Sequence, residues 1–360
     1  MRGIMTGAGD MFTMKHTRMQ SPAVVAEGPT GSDGRQAAPG GAETLVLAGG
    51  CFWGVERFFQ EVSGVTDTQV GYAQSKVENP SYEEVCTGNT DAVEAVRIAY
   101  DPGRVTLRTL TLLLLDMIDP FSVDRQGNDR GRQYRSGLYW EAGRRDQQEP
   151  VFRRAIRELE ERTGRHPAVQ VEALSNFYPA EESHQDYLIK HPDGYCHIPL
   201  DAIAAAPKRQ RYIERIWALD QESYEVTQHA ATEAPFTNKY DAEFRPGIYV
   251  DVVDGQPLFT SADKYDSGCG WPAFSKPIDP DLLVNRKDFK LLGRPRIEVR
   301  TARSGIHLGH VFDDGPADRG GRRYCMNSAA LRFVPRDEME AQGYGDYLPL
   351  VDGQAGGRAD

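Results

Sequence analysis

Thr44-Leu45-Val46-Leu47-Ala48-Gly49-Gly50-Cys51-Phe52-Trp53-Gly54 runs from an apolar stretch through two glycines into a cysteine and two aromatics. Residues 44–47 read as a strand and residues 52–60 carry a helical apolar period, so Cys51 falls where a strand turns into a helix. Adjacent glycines permit the tight turn. Free N–H groups at the helix start favour negative charge and predict a lowered thiol pKa, while Phe52 and Trp53 are placed to exclude water. An inert buried cysteine is the competing reading.

Working outward, residues 66–72, 93–100, 134–140 and 168–175 read as further strands, and residues 107–117, 147–163 and 180–191 as helices. This alternation predicts an N-terminal α+β domain, an α/β sandwich. An Ala-rich then basic segment follows and reads as a helical linker. Beyond it the pattern turns to alternating runs at 247–253, 256–260, 296–301 and 329–334, with Asp254-Gly255 as a hairpin signal. The C-terminal domain is therefore expected to be mainly antiparallel β. The expected boundaries are a disordered leader 1–42, a first domain 43–200, a linker 201–220, a second domain 221–337 and a loose tail 338–360.

The chain has 360 residues and a net charge of −11, enough for two cores. Its acidity, with no basic run among aromatics, argues against nucleic acid and anionic membrane surfaces as partners. Leu110 to Leu115, the longest apolar run, is too short to span a bilayer, and the leader resembles neither signal nor transit peptide, so a cytoplasmic location is expected. Five scattered cysteines with no C-x-x-C pair argue against a disulfide scaffold and against a sulfur-built zinc site, so no metal or resident cofactor is expected.

In the first half, strand alternation puts Glu94 on one face with Val96, Ile98 and Tyr100. Burial there would keep the carboxyl protonated and make it a proton donor; a side chain reaching to solvent from an edge strand is the alternative. Tyr82, Asp129 and Tyr134 are further polar candidates, each also readable as an ordinary loop or strand residue. Cys196, in Asp193-Gly194-Tyr195-Cys196-His197, lies in a movable segment suited to meeting another thiol. Cys86 reads as structural.

These features, with the stretches 82–86 and 125–136 and the run His184-Gln185-Asp186-Tyr187-Leu188, resemble the A-type peptide methionine sulfoxide reductases. The resemblance implies that Cys51 is the nucleophile and that Phe52 and Trp53 cradle the substrate methyl group. It also implies that Glu94, Tyr82 and Tyr134 polarise the sulfoxide oxygen and that Cys196 resolves. Asp91-Ala92-Val93 stands where that family usually has Gly-His-Ala, and Ile118 replaces a usual histidine.

In the second half, Cys269 sits beside Trp271 in a turn-rich loop, and Cys325 follows Arg323, whose charge would favour a thiolate. His307 and His310 lie between them as candidate proton donors, with metal ligands or core histidines as alternatives. Residues 224–335 resemble the B-type methionine sulfoxide reductases. The resemblance makes Cys325 the nucleophile, Cys269 the resolving thiol, Trp271 the methyl-binding wall, and His307, His310 and Asn327 the groups that position and protonate the sulfoxide. Many relatives hold zinc through two C-x-x-C pairs. Asp251, Asp254, Thr301 and Ser304 stand there in this chain, a corner then expected to be held by packing alone.

The reading is a two-site enzyme reducing S and R epimers of methionine sulfoxide, in proteins or as the free amino acid, through a sulfenic acid and an intramolecular disulfide. By resemblance thioredoxin restores the thiols. A cysteine hydrolase or acyl transferase using Cys325 and His307, and a redox sensor or metal scaffold, are the alternatives.

Overall fold

The computed structural model describes residues 41–289 and 295–353. Its first half contains β1 (Glu43–Gly49), α1 (Phe52–Gln60), β2 (Val65–Ala73), α2 (Tyr82–Cys86), β3 (Val93–Tyr100) and α3 (Leu107–Met117). A small ribbon of β4 (Arg125–Gln126) and β5 (Asp129–Arg130) follows, then β6 (Ser136–Trp140), α4 (Arg145–Thr163), β7 (Val169–Ala173), β8 (Phe177–Pro179) and α5 (Tyr187–Lys190). Six strands form one sheet in the order β7-β6-β1-β3-β2-β8, antiparallel except for the β6–β7 pair.

The central position of β1 explains its unbroken apolar run. Leu45 and Leu47 face the main core with Val55, Phe59, Leu110 and Leu114, while Val46 and Ala48 pack with Ala95 and Tyr139 on the other face. Such a strand holds its C-terminal turn, and hence Cys51, against a rigid support.

Residues 180–191 are helical only over α5. The side chains ahead of it serve the sheet instead. Gln185 accepts from the Val70 N–H and donates to the Val70 carbonyl, and Glu181 accepts from the Tyr72 hydroxyl and the Tyr82 N–H. Asp186, at φ +53°, then breaks the helical path. Tyr134, expected in a strand, lies in a single tight turn ahead of β6.

The expected linker is a continuous helix, α6 (Leu200–Trp217), followed by α7 (Gln221–His229). It is not a tether. Ile203, Ala206, Ile213 and Trp217 belong to the first core, whereas Tyr212 and Ile216 belong to the second. Lys208 donates to the Ala302 carbonyl, and Arg209 pairs with Asp116 of α3.

The second half consists of β9 (Gly247–Asp251), β10 (Pro257–Thr260), β11 (Lys264–Tyr265), β12 (Ala273–Phe274), β13 (Leu283–Asp288), β14 (Arg296–Thr301), β15 (His307–Phe312), β16 (Arg323–Met326) and β17 (Leu331–Pro335). They form two antiparallel sheets, β10-β9-β17 and β11-β12-β16-β15-β14-β13. A last short helix, α8 (Leu348–Asp352), ends the described chain. The expected loose tail is corrected over its first part. Met339, Tyr344, Tyr347 and Val351 are buried against Ile248, Val250 and Val334, because the outer face of β9 and β17 is apolar and needs a cover. The leader expectation falls almost wholly outside the described residues.

Candidate active sites

Cys51 ends the β1 turn at the first residue of α1's cap and is buried. Gly50 has φ +88°, and a Cβ there would lie 2.6 Å from Gln126, so the turn requires glycine. The two amides at the helix start are divided between two groups. The Phe52 N–H donates to Glu94 Oε2 at 3.0 Å, and the Trp53 N–H is directed at the Cys51 sulfur. Glu94 lies opposite Tyr72 on β3 and is 1% exposed. Its other oxygen, Oε1, has no protein partner. Burial, supported by the charge of Asp129, pushes Glu94 up to about 8, so at neutral pH it is an acid with a proton to give.

The expected low pKa of Cys51 is overturned. Burial first, then the neighbouring Glu94 carboxyl, hold the thiol well above its ordinary range, and the helix-start amide does not compensate. Thiol and acid therefore both keep their protons in the free site. Tyr82 and Tyr134 line it as well, their hydroxyls pushed up by burial and then by Glu94, with Cys51 contributing to each. Asp129 Oδ1 accepts from the Tyr195 hydroxyl at 2.8 Å.

An aromatic wall closes the pocket. Trp53 stacks on Tyr187 with ring centroids 3.8 Å apart, and the His184 ring lies 5.6 Å from Phe52 and 4.5 Å from Tyr82. The sequence marks His184, Tyr187 and Tyr195 only through the density of aromatic rings between residues 184 and 195. Cys196 is half-buried, and a Cβ at Gly54 would lie 3.0 Å from its sulfur, so Gly54 is what lets that segment lie against α1. Cys86, which the sequence reads as structural, is exposed at the end of α2. A larger apolar groove, about 590 Å³, lies beside this site between α1, α5 and α6 and is lined by Leu188, Ile189, Leu200 and Ile203.

The second site is built across strands. His310 on β15 pairs directly with Cys325 on β16, whose other neighbour is Ala273. The Cys269 and Cys325 sulfurs are 3.5 Å apart. Cys325 is held above its ordinary range, first by facing Cys269 and then by burial, although Arg323 pulls the other way as the sequence implied. Cys269 is drawn down to about 5, chiefly by the Cys325 hydrogen bond, with Ser267 assisting. The pair thus shares one proton, held by Cys325, and one negative charge, carried by Cys269. Arg323 is held by both Asp314 oxygens, at 2.8 and 2.9 Å.

Both histidines are oriented by carboxylates. His307 Nδ1 lies 2.8 Å from Glu298, and His310 Nε2 lies 2.8 Å from Asp288. His307 is 1% exposed, and burial brings it down to about 4. These four side chains, with Lys287 and Phe289, bound a cavity of about 220 Å³. Asn327 is tied to backbone at both ends, donating to the Leu308 carbonyl and accepting from the Glu233 N–H. The Trp271 indole donates to the Glu233 carbonyl at 3.1 Å, which fixes its ring as a wall.

Residues 43–221 match the family model described as Peptide methionine sulfoxide reductase, and residues 219–335 match that of the SelR domain. The chain belongs to the methionine sulfoxide reductases, with an A-type and a B-type unit in one polypeptide. Reduction of the S epimer by the first unit and of the R epimer by the second is the activity of the fusion. Among solved structures, reduced Mxr1 from Saccharomyces cerevisiae is 36% identical, with 45% of this chain and 92% of that chain covered and a TM-score of 0.41. Methionine sulfoxide reductase A of Corynebacterium diphtheriae is 36% identical, with 44% and 84% covered and a TM-score of 0.41. Mxr1 in complex with Trx2 is 24% identical, with 43% and 91% covered and a TM-score of 0.29.

The corner of Asp251, Asp254, Thr301 and Ser304, expected to be held by packing alone, is hydrogen-bonded. Asp251 accepts from the Val253 and Asp254 N–H groups and from the Ser304 hydroxyl, and Thr301 accepts from the Gly305 and Ile306 N–H groups. Arg303 lies 3.2 Å from Asp254. No described helix is long and apolar enough to cross a membrane.

Proposed function

We propose that Cys51 and Cys325 are the two nucleophiles and that Cys196 and Cys269 resolve them. The catalytic units correspond to residues 43–200 and 221–337. The observation that carries this reading is a thiol beside a group able to exchange a proton with it in each half: the buried Cys51 with Glu94, whose Oε1 is unpartnered, and the half-buried Cys325 with Cys269, 3.5 Å away.

A sulfoxide becomes electrophilic at sulfur as its oxygen gains protons. In the A-type site the oxygen would displace no protein contact from Glu94 Oε1, and it would take that proton with Tyr82 and Tyr134 as further donors. The Cys51 sulfur then attacks, its own proton returning to the Glu94 carboxylate, and as the substrate S–O bond breaks the hydroxyl passes to the Cys51 sulfur. Methionine departs and Cys51 becomes a sulfenic acid. The Cys196 thiol attacks that sulfur, releasing water and forming a disulfide. Cys325 and Cys269 follow the same bond changes, with Cys269 relaying the Cys325 proton to the oxygen, His307 and His310 beside that oxygen and Trp271 against the methyl group. Phe52 and Trp53 form the corresponding wall in the first site, Asp129 orients the substrate backbone, and Asn327 and Arg323 hold the second site in shape.

Each turnover leaves a disulfide, so a dithiol must restore the enzyme by exchange. Thioredoxin is the proposed reductant, oxidised proteins and peptides the main substrates, free methionine sulfoxide an additional one, and the cytoplasm the location. Protein repair after oxidative stress is the corresponding role. Turnover of resolved epimers tests the assignment: Cys51→Ser abolishes only S-sulfoxide reduction and Cys325→Ser only R-sulfoxide reduction. Loss of both activities from either change would refute independent sites.

A further inference from the structure

His197 stands next to the resolving cysteine and takes no part in the reduction described above. Its side chain is 5% exposed. Nε2 lies 3.0 Å from the Gly49 carbonyl, which can only accept, so that nitrogen carries the proton and the lone pair is on Nδ1. Nδ1 is buried without a partner. Asp129 Oδ2, 3.9 Å away, is likewise buried and unpartnered, while its Oδ1 is fixed by Tyr195. The Cys51 sulfur completes the group, and the three candidate donor atoms lie within 4.8 Å of one another.

From this geometry we infer that Cys51, Asp129 and His197 form a binding site for a thiophilic divalent cation such as zinc, and that its occupancy masks the A-type nucleophile.

Thiolate, imidazole and carboxylate are the donor types zinc takes. Imidazole and carboxylate are each oriented by a hydrogen bond to their other polar atom, as metal ligands usually are. With Zn–S near 2.3 Å and Zn–N near 2.0 Å, tetrahedral ligand atoms stand roughly 3.3–3.8 Å apart. Closing the triangle thus needs movements of about 1 Å, within reach of side-chain rotation. Binding exchanges the Cys51 proton for the metal, so a site that holds its thiol protonated when free releases that proton on loading. Metal and sulfoxide then exclude each other at one sulfur, and formation of the Cys51–Cys196 disulfide expels the metal. The masking rests on Cys51 being the nucleophile; the binding does not.

Cobalt(II) titration of the full reduced chain carrying Cys269→Ser and Cys325→Ser, under anaerobic conditions, tests the site. The expected result is one cobalt per chain, a thiolate-to-cobalt charge-transfer band and release of a proton. Cys51→Ser removes the band. His197→Ala and, with its shape conserved, Asp129→Asn each weaken binding by about tenfold or more. Zinc abolishes S-sulfoxide reduction in the same protein and a chelator restores it. Absence of the band, its survival in Cys51→Ser, or unchanged affinity in both His197→Ala and Asp129→Asn overturns the site. A cobalt band together with S-sulfoxide reduction that ignores bound zinc supports the site and refutes Cys51 as nucleophile.

Discussion

Replacing Glu94 with glutamine separates the acid's chemistry from its burial. In the folded chain burial pushes Glu94 up to about 8, against 4.5 for a solvated glutamate, because it is 1% exposed. The sign follows directly. The folded state keeps the proton to higher pH than the unfolded state, so this group makes the protein progressively less stable as pH rises from about 4.5 to about 8. At about 1.4 kcal/mol per pH unit, holding the ionised carboxylate in the fold costs on the order of 5 kcal/mol. Glutamine can still accept the Phe52 N–H but cannot ionise or give up a proton. Glu94→Gln should therefore gain stability relative to wild type on going from pH 5 to pH 9, by several kcal/mol. It should also lose about 10²–10⁴-fold in S-sulfoxide reduction, the range for a removed general acid. Single-turnover formation of the Cys51–Cys196 disulfide against pH reads the chemistry. Wild-type rates should fall above about pH 8 as Glu94 loses its proton, and the fall should vanish in the variant. R-sulfoxide reduction in the same chain is the internal control. S-sulfoxide turnover within about threefold of wild type, or an unaltered stability profile against pH, would refute a buried neutral acid at this position.

Further outcomes follow from the second half. Arg323→Gln removes the cation that assists ionisation of the Cys269–Cys325 pair, so the alkylation profile of these thiols should move to higher pH by about one unit while S-sulfoxide reduction is unaffected; an unmoved profile counts against the shared-charge account. Ser304→Ala withdraws a donor from the buried Asp251, and should cost about 1–3 kcal/mol of stability in denaturant unfolding. Tyr344→Ala empties a site 1% exposed and frees the Gly255 carbonyl, with an expected loss of about 3–5 kcal/mol; a loss below about 1 kcal/mol would show that the C-terminal segment contributes little to the fold.

Local pattern determined much of this protein. The bounds of β3, β14, α1 and α3 coincide with residues 93–100, 296–301, 52–60 and 107–117, because in these segments the apolar period and the burial pattern agree. The placement of Cys51 at a strand-to-helix turn and of Glu94 on an apolar face was legible for the same reason. What the sequence could not convey was competition between distant groups. Residues 181–186 have helical spacing, yet their side chains satisfy the edge of β2, over a hundred positions earlier, and that use excludes the helix. The segment after Pro335 has a loose composition, but an uncovered apolar face on β9 and β17 orders it. Proton affinity is the clearest instance. A helix start lowers a thiol pKa by a local field, whereas burial and a carboxyl brought in from β3 raise it, and only the assembled sheet decides which prevails. Residue types and their spacing thus named the reacting atoms, and three-dimensional packing set where their protons reside.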